Sequence, residues 1–169
     1  MNRIAQFFEV SRAQFEADWR AAFPGAEVPG CVRLPERATA GSAGYDFFAP
    51  AGFELRPGET ILLPTGVRAR MDDGWVLMLF PRSGLGFKYR LQLNNTVGVI
   101  DSDYFGAKNE GHIMLKLTND SNEGRTLFVQ PGEAVAQGVF LPYGITMDDD
   151  VQARREGGFG STDRAQKGQ

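Results

Sequence analysis

From Cys31 onward the chain is a succession of short apolar runs, each closed by a turn signal, and this texture restricts the fold more than any other feature. The runs lie at 44–49, 60–63, 67–71, 75–80, 91–93, 98–100, 112–117, 126–129 and 134–141. Between them stand Arg56-Pro57-Gly58, Asp72-Asp73-Gly74, Asn119-Asp120 and Gln130-Pro131-Gly132, whose residue types preset turn backbones. Many short strands at such intervals predict an all-β sandwich, jelly roll or barrel. No internal repeat and no alternation of helix with strand competes with that reading.

The two ends of the chain read differently. Ser11 is a candidate helix N-cap, and Gln14 completes a capping-box pattern three residues later. Phe15, Trp19 and Phe23 follow at a spacing of four, which lays an aromatic stripe on one helical face, before Pro24 and Gly25 end the helix. Such a stripe packs on the domain itself or on a neighbouring subunit. At the other end, the stretch from Gly157 to Thr162 is too rich in glycine to hold one conformation alone, since each glycine loses much backbone entropy on ordering. Its single aromatic, Phe159, suits a flexible arm that closes over a flat ligand. The organisation expected is therefore a helical extension at 1–30, a β domain at 31–152 and a flexible arm at 153–169.

Composition removes several functions. One cysteine, Cys31, and one histidine, His112, allow neither an intrachain disulfide nor a Cys/His zinc site. Nothing near His112 resembles a nucleophile elbow. A net charge of −3 argues against general nucleic-acid binding. There is no long apolar run and no signal-peptide pattern, so the expectation is no membrane and a cytoplasmic location.

Five segments could carry chemistry. Ala43-Gly44-Tyr45-Asp46 sets a carboxylate at a strand start. Pro81-Arg82-Ser83-Gly84-Leu85-Gly86 follows the strongest strand. Its arginine offers a planar fork to phosphate oxygens, its serine a hydroxyl, and its glycines let backbone N–H groups approach an anion. In the stretch from Asn95 to Tyr104 an apolar strand, Gly98-Val99-Ile100, runs directly into Asp101-Ser102-Asp103-Tyr104. An aspartate there can be a turn former, or a general base toward water beside a bound triphosphate and Mg2+. Asn95 provides both a donor and an acceptor for a base edge, and Tyr104 a flat face for a sugar or base. Gly132-Glu133-Ala134-Val135-Ala136-Gln137 reads otherwise as a plain strand with Gln137 in solvent. The arm is the fifth.

In this order AGYD, PRSGLG, NTVGVIDSDY, GEAVAQ and GGFGST resemble the five motifs of the trimeric deoxyuridine triphosphatase (dUTPase) family, over residues 34–162. The resemblance implies a β jelly roll, or β-clip, that hydrolyses dUTP to dUMP and pyrophosphate with Mg2+. It also implies a homotrimer whose sites are shared between subunits. Asp101 then orients and deprotonates a water directed at the α-phosphorus. Arg82, Ser83, Gly84 and Gln137 bind phosphate, as do Arg154 or Arg155, Ser161 and Thr162 from the arm. Asn95, Gly98, Val99 and Ile100 form the uracil pocket, Tyr104 stacks on deoxyribose, and Phe159 with Gly160 closes on the base. Asp46 touches Mg2+ only through water, and the metal is held mainly by the substrate's phosphates.

The chain departs from the family pattern at several points. Arg155 stands where the arm usually has glycine, and Asp163 replaces the arm's last glycine. The stretch 107–112 resembles a small insertion, and the helix before Cys31 is an addition. Two other readings follow from these residues. One is a dCTP deaminase of the same fold, which would need a glutamate proton shuttle for which no match is found. The other is a non-catalytic dUTP-sensing or partner-binding module, suggested by the altered arm and the extra helix.

Overall fold

The computed structural model describes residues 2–153. In chain order the elements are β1 (Ala5–Glu9), α1 (Arg12–Ala22), β2 (Tyr45–Phe48), β3 (Phe53–Leu55), β4 (Thr60–Pro64), β5 (Val67–Met71) and β6 (Trp75–Pro81). Then come α2 (Ser83–Tyr89), β7 (Leu91–Leu93), β8 (Gly98–Ile100), a 3₁₀ turn at Ser102–Gly106, β9 (Met114–Asn119), β10 (Leu127–Val129) and β11 (Ala134–Pro142). Every strand expected from the sequence is present, with ends shifted by at most two residues, and the all-β expectation is met. Four elements were not expected: β1, β3, α2 and the 3₁₀ turn.

All pairings are antiparallel. One sheet runs β2-β11-β6-β8, a second β4-β9-β7, and two pairs, β1 with β5 and β3 with β10, complete the body. Alternate residues of these strands point inward, as the period of two requires. Phe47, Leu77, Leu79, Ile100, Ile113, Leu115, Leu117 and Leu127 are at most 1 % exposed and form the core. Each such side chain contributes roughly 1.5–3 kcal/mol relative to exposure. Gly138 on β11 is required by this packing. A Cβ there would stand 2.8 Å from Leu77 and 2.9 Å from Phe47, both held in place by the core.

The helix forms where the stripe places it. Ser11 caps it, its hydroxyl accepting the Gln14 N–H at 3.1 Å. The other half of the expected capping box is not made. The Gln14 side chain donates to Asp18 instead, and the Ser11 N–H donates to Glu110 at 2.7 Å. The carboxylate that completes the cap thus comes from a segment distant in sequence. Phe15 and Trp19 are buried, with Phe15 edge-on to His112 at 6.1 Å. This settles the destination of the stripe: it packs on its own domain. Val10, Phe15 and Trp19 share one core with the β strands, and β1 is hydrogen-bonded to β5, so this extension packs against the β body.

Candidate active site

Two groups of the expected residues form in the described part of the chain. The first arises from the order β2-β11-β6. On β11, Gln137 is the register partner of Asp46 on one side and of Phe80 on the other. Arg82 follows β6 directly, and its guanidinium stands 3.8 Å from the Asp46 carboxylate. Asp46 is partly covered and Arg82 about half exposed, so the arginine fork faces solvent beside a carboxylate. Ser83 and Gly84 are exposed in the first turn of α2, where helix N–H groups have no intrahelical acceptor. Gly44 lies against this cluster, since a Cβ on it would stand 2.8 Å from Gln137 Oε1, the mobile end of that side chain. Gly84 is different. A Cβ there would meet nothing within 4 Å, so packing inside one chain does not account for its missing side chain.

The second group surrounds β8. Strands β7 and β8 flank a tight turn but pair with different partners, β9 and β6, so the chain crosses between sheets at this turn. Asn95 is exposed in that turn, which closes through a Val97 N–H to Asn95 carbonyl bond of 2.7 Å and a left-handed Thr96. Gly98 lies under Leu79, with room for no more than a tight Cβ contact of 3.0 Å. The Ile100 side chain belongs to the core and Val99 is half exposed. Strand β8 ends its sheet, so among the described residues its outer backbone groups form a free edge. A free strand edge is a row of donors and acceptors that a planar heterocycle can match.

Asp101 ends β8 and caps the 3₁₀ turn, its carbonyl accepting the Tyr104 N–H at 3.2 Å. Tyr104 follows in the same turn. It is 2 % exposed, its hydroxyl donates to the His112 carbonyl at 2.9 Å, and it accepts from Asn109 Nδ2 at 2.8 Å. These bonds draw the ring inward, beneath the turn. Arg68 of β5 holds the same turn from the other side, donating to the Phe105 carbonyl at 2.9 Å with its guanidinium 3.6 Å over the Phe105 ring. Arg68 and Asn109 were not singled out in the sequence. The fold brings Arg68 to the turn, while Asn109 follows it closely in the chain.

One chain does not bring the two groups together. Ile100 is the register partner of Leu77, which sets Asp101 level with Val76. Arg82 lies six residues farther along, or about 20 Å at ~3.3 Å per residue. His112, the sole histidine, is buried; its Nδ1 bonds Asp18 at 2.5 Å and its Nε2 accepts the Gly66 N–H at 2.8 Å. Burial pushes its pKa down, against an opposing pull from Asp18, and the ring has no free nitrogen for catalysis. Among the described residues no group of three or more His, Cys, Asp or Glu could hold a metal ion, and no helix is long and apolar enough to cross a membrane. The expected arm residues Arg154, Arg155, Phe159, Gly160, Ser161 and Thr162 lie outside the described residues.

Comparison with known proteins bears on this geometry. The family model described as dUTPase matches residues 31–163. The chain is 46% identical over 148 residues to the deoxyuridine 5'-triphosphate nucleotidohydrolase of Tolumonas auensis, covering 83% of this chain and 91% of that protein. It is 42% identical over 134 residues to the protein of the same name from Lactococcus lactis, covering 78% of this chain and 88% of that one. Among solved structures, the dUTPase of Streptococcus mutans is similar with a TM-score of 0.62 at 36% identity, over 83% of this chain and 97% of that one.

Proposed function

The chain belongs to the dUTPase family, and from that premise we propose that it hydrolyses dUTP to dUMP and pyrophosphate at a site completed between copies of the chain. The observation that carries the shared site is the separation along β6. Asp101 and the Arg82–Asp46–Gln137 cluster are too far apart in one chain to act on one phosphoanhydride. A closed assembly of identical subunits brings one end of β6 in one copy to the other end in the next, and a homotrimer does so at three equivalent sites.

In this reading Arg82 binds phosphate oxygens through its fork, with Ser83, the N–H of Gly84 and the Gln137 amide beside it. From another copy, Asp101 orients a water and accepts its proton as the oxygen bonds to the α-phosphorus. The bridging bond from the α-phosphorus to the leaving oxygen breaks, and pyrophosphate departs. The free edge of β8, from Gly98 through Val99 to Ile100, pairs with the uracil edge, with Asn95 at its rim. Tyr104, in the turn after Asp101, stacks on the deoxyribose. Arg154 or Arg155, Ser161 and Thr162 bind phosphate from a C-terminal arm at 153–169, and Phe159 with Gly160 covers the base. Residues 31–152 form the catalytic body and 1–30 its extension.

A lone, partly covered carboxylate beside an arginine suits a hydrated cation better than a protein cage would. Asp46 would hold Mg2+ through water while the triphosphate supplies its direct ligands, and the ion would supply charge neutralisation. A cytoplasmic location, beside the nucleotide pool, goes with this reading.

The test is pyrophosphate release from dUTP with Mg2+, run beside dCTP, dTTP and UTP and repeated with Asp101→Asn. Release from dUTP alone, lost in the variant, is expected. Ammonia from dCTP would instead favour a deaminase, and dUTP binding without turnover a sensing module.

A further inference from the structure

The family match begins at residue 31, so α1 lies outside it, yet its N-cap Ser11 and its Asp18 both bond to one short stretch of the β body. Ser11 donates to Glu110 through both its N–H, at 2.7 Å, and its hydroxyl, at 2.6 Å. Asp18 accepts from His112 Nδ1 at 2.5 Å. Both partners belong to the stretch 107–112, which resembles an insertion and directly follows the catalytic turn. The two additions to the family pattern are therefore bonded to each other.

That stretch is in turn fastened to the turn. The His112 carbonyl accepts the Tyr104 hydroxyl at 2.9 Å, and Asn109 donates to the same hydroxyl at 2.8 Å. Glu110 also lies 3.7 Å from Arg68, which holds the Phe105 carbonyl. Glu110 and Gly111 are consecutive left-handed residues, at φ 58° and 70°. A glutamate keeps that backbone only where its surroundings over-determine it, and here its carboxylate is tied to the cap of α1. The turn then closes through the Tyr104 N–H to Asp101 carbonyl bond of 3.2 Å.

We propose that α1 is a positioning element for Asp101: Asp18 acting through His112 and Tyr104, and Ser11 acting through Glu110, fix the turn that carries the attacking carboxylate. The proposal rests on the hydrolytic reading above. Loss of Asp18 leaves the buried Nδ1–H of His112 without its acceptor, and the ring and its carbonyl then shift together. A displaced catalytic group costs rate rather than substrate affinity.

The experiment uses the full chain as wild type, Asp18→Ala, Asp18→Asn, Ser11→Ala and, as a control on the outer face of α1, Glu16→Ala. Among the described residues Glu16 bonds Arg12 and Arg20 of its own helix and nothing else. Steady-state kinetics with dUTP and Mg2+ and amide hydrogen exchange of Tyr104 are read well below each melting temperature. For Asp18→Ala, kcat is expected to fall on the order of tenfold with KM nearly unchanged. Tyr104 exchange should quicken on the order of tenfold while that of Leu117 in the core does not. Asp18→Asn, which keeps an acceptor oxygen, should restore both readouts. Ser11→Ala should move both in the same direction by less, and it serves where Asp18→Ala does not fold. Unchanged kcat and unchanged Tyr104 exchange, even with a lowered melting temperature, would overturn the proposal, as would an effect on KM alone. An inactive wild type would instead sink the hydrolytic reading, and Tyr104 exchange would still decide whether α1 holds the turn.

Discussion

Asp101 lies level with Val76 at the start of β6 and Arg82 lies one residue past its end, so the backbones of these two residues stand about 20 Å apart along the strand in a single chain. A site that needs both must draw them from different copies. Asp101→Asn and Arg82→Ala chains should each be inactive alone. Unfolded together and refolded as mixed oligomers, they should regain activity, because about a quarter of sites then combine an intact Asp101 with an intact Arg82. Hydrolysis assayed across mixing ratios checks this, and a mixture as inactive as its components would place both residues in one subunit's site.

Arg82 is held beside Asp46 as a planar fork, and a lysine would keep the charge while losing that geometry. Arg82→Lys should lower kcat/KM for dUTP by on the order of tenfold or more. Asp46→Asn should chiefly raise the Mg2+ concentration needed for half-maximal rate, with discrimination against dTTP intact. Initial rates over a grid of dUTP and Mg2+ concentrations separate the two effects. Equal losses for both variants at saturating Mg2+ would count against a water-mediated role for Asp46.

Much of this was legible before the fold was known, and the exceptions have local causes. The strands could be read because turn residues bracket them, and α1 because Phe15, Trp19 and Phe23 repeat at helical spacing. Strand β1 could not, since Ala5–Glu9 alternates too little to signal a strand and is fixed by its partner β5. Helix α2 carries two glycines and has an arginine N-cap without a side-chain bond, so its local preference is weak. In the site, the types of Asp46, Arg82 and Gln137 were readable. Their meeting depends on the register of β2, β11 and β6, which no local pattern encodes. The burial of Tyr104 depends on the His112 carbonyl, supplied by a stretch that stood out only as a departure from the family pattern.

His112 should make stability sensitive to mild acid. Burial holds its folded pKa below the ordinary value of 6.5, and Nε2, which accepts the Gly66 N–H, has no room for a proton. The unfolded chain therefore binds the extra proton first. The contribution is complete above about pH 6.5 and is lost as pH falls below it, with a slope of up to ~1.4 kcal/mol per pH unit. Glu110, whose pKa is lowered first by the Ser11 hydroxyl, adds its loss only at lower pH, below its ordinary 4.5. Urea midpoints from about pH 8 to 5 read the histidine alone, and a flat profile would mean that His112 is charged or exposed in the folded protein.

Gly111→Ala tests the joint between the helix and the turn at its tightest point. Gly111 has φ 70°, and an added Cβ would stand 2.6 Å from the Tyr104 carbonyl oxygen and 2.9 Å from the Phe105 Cα. Both neighbours are backbone, so neither can swing away as a side-chain end would. Left-handed strain alone costs an alanine about 1 kcal/mol, and the clash adds to it. A loss of roughly 2–4 kcal/mol in unfolding free energy is expected, large for a single methyl group. Gly132→Ala is the matched control. It has φ 78° but nothing within 4 Å of the added atom, so it should lose only the strain component. Denaturation of both variants, with kcat measured where each is folded, checks the argument. The surviving Gly111→Ala protein should also lose rate, because admitting the methyl pushes the Gly111 backbone and the turn that holds Asp101 apart.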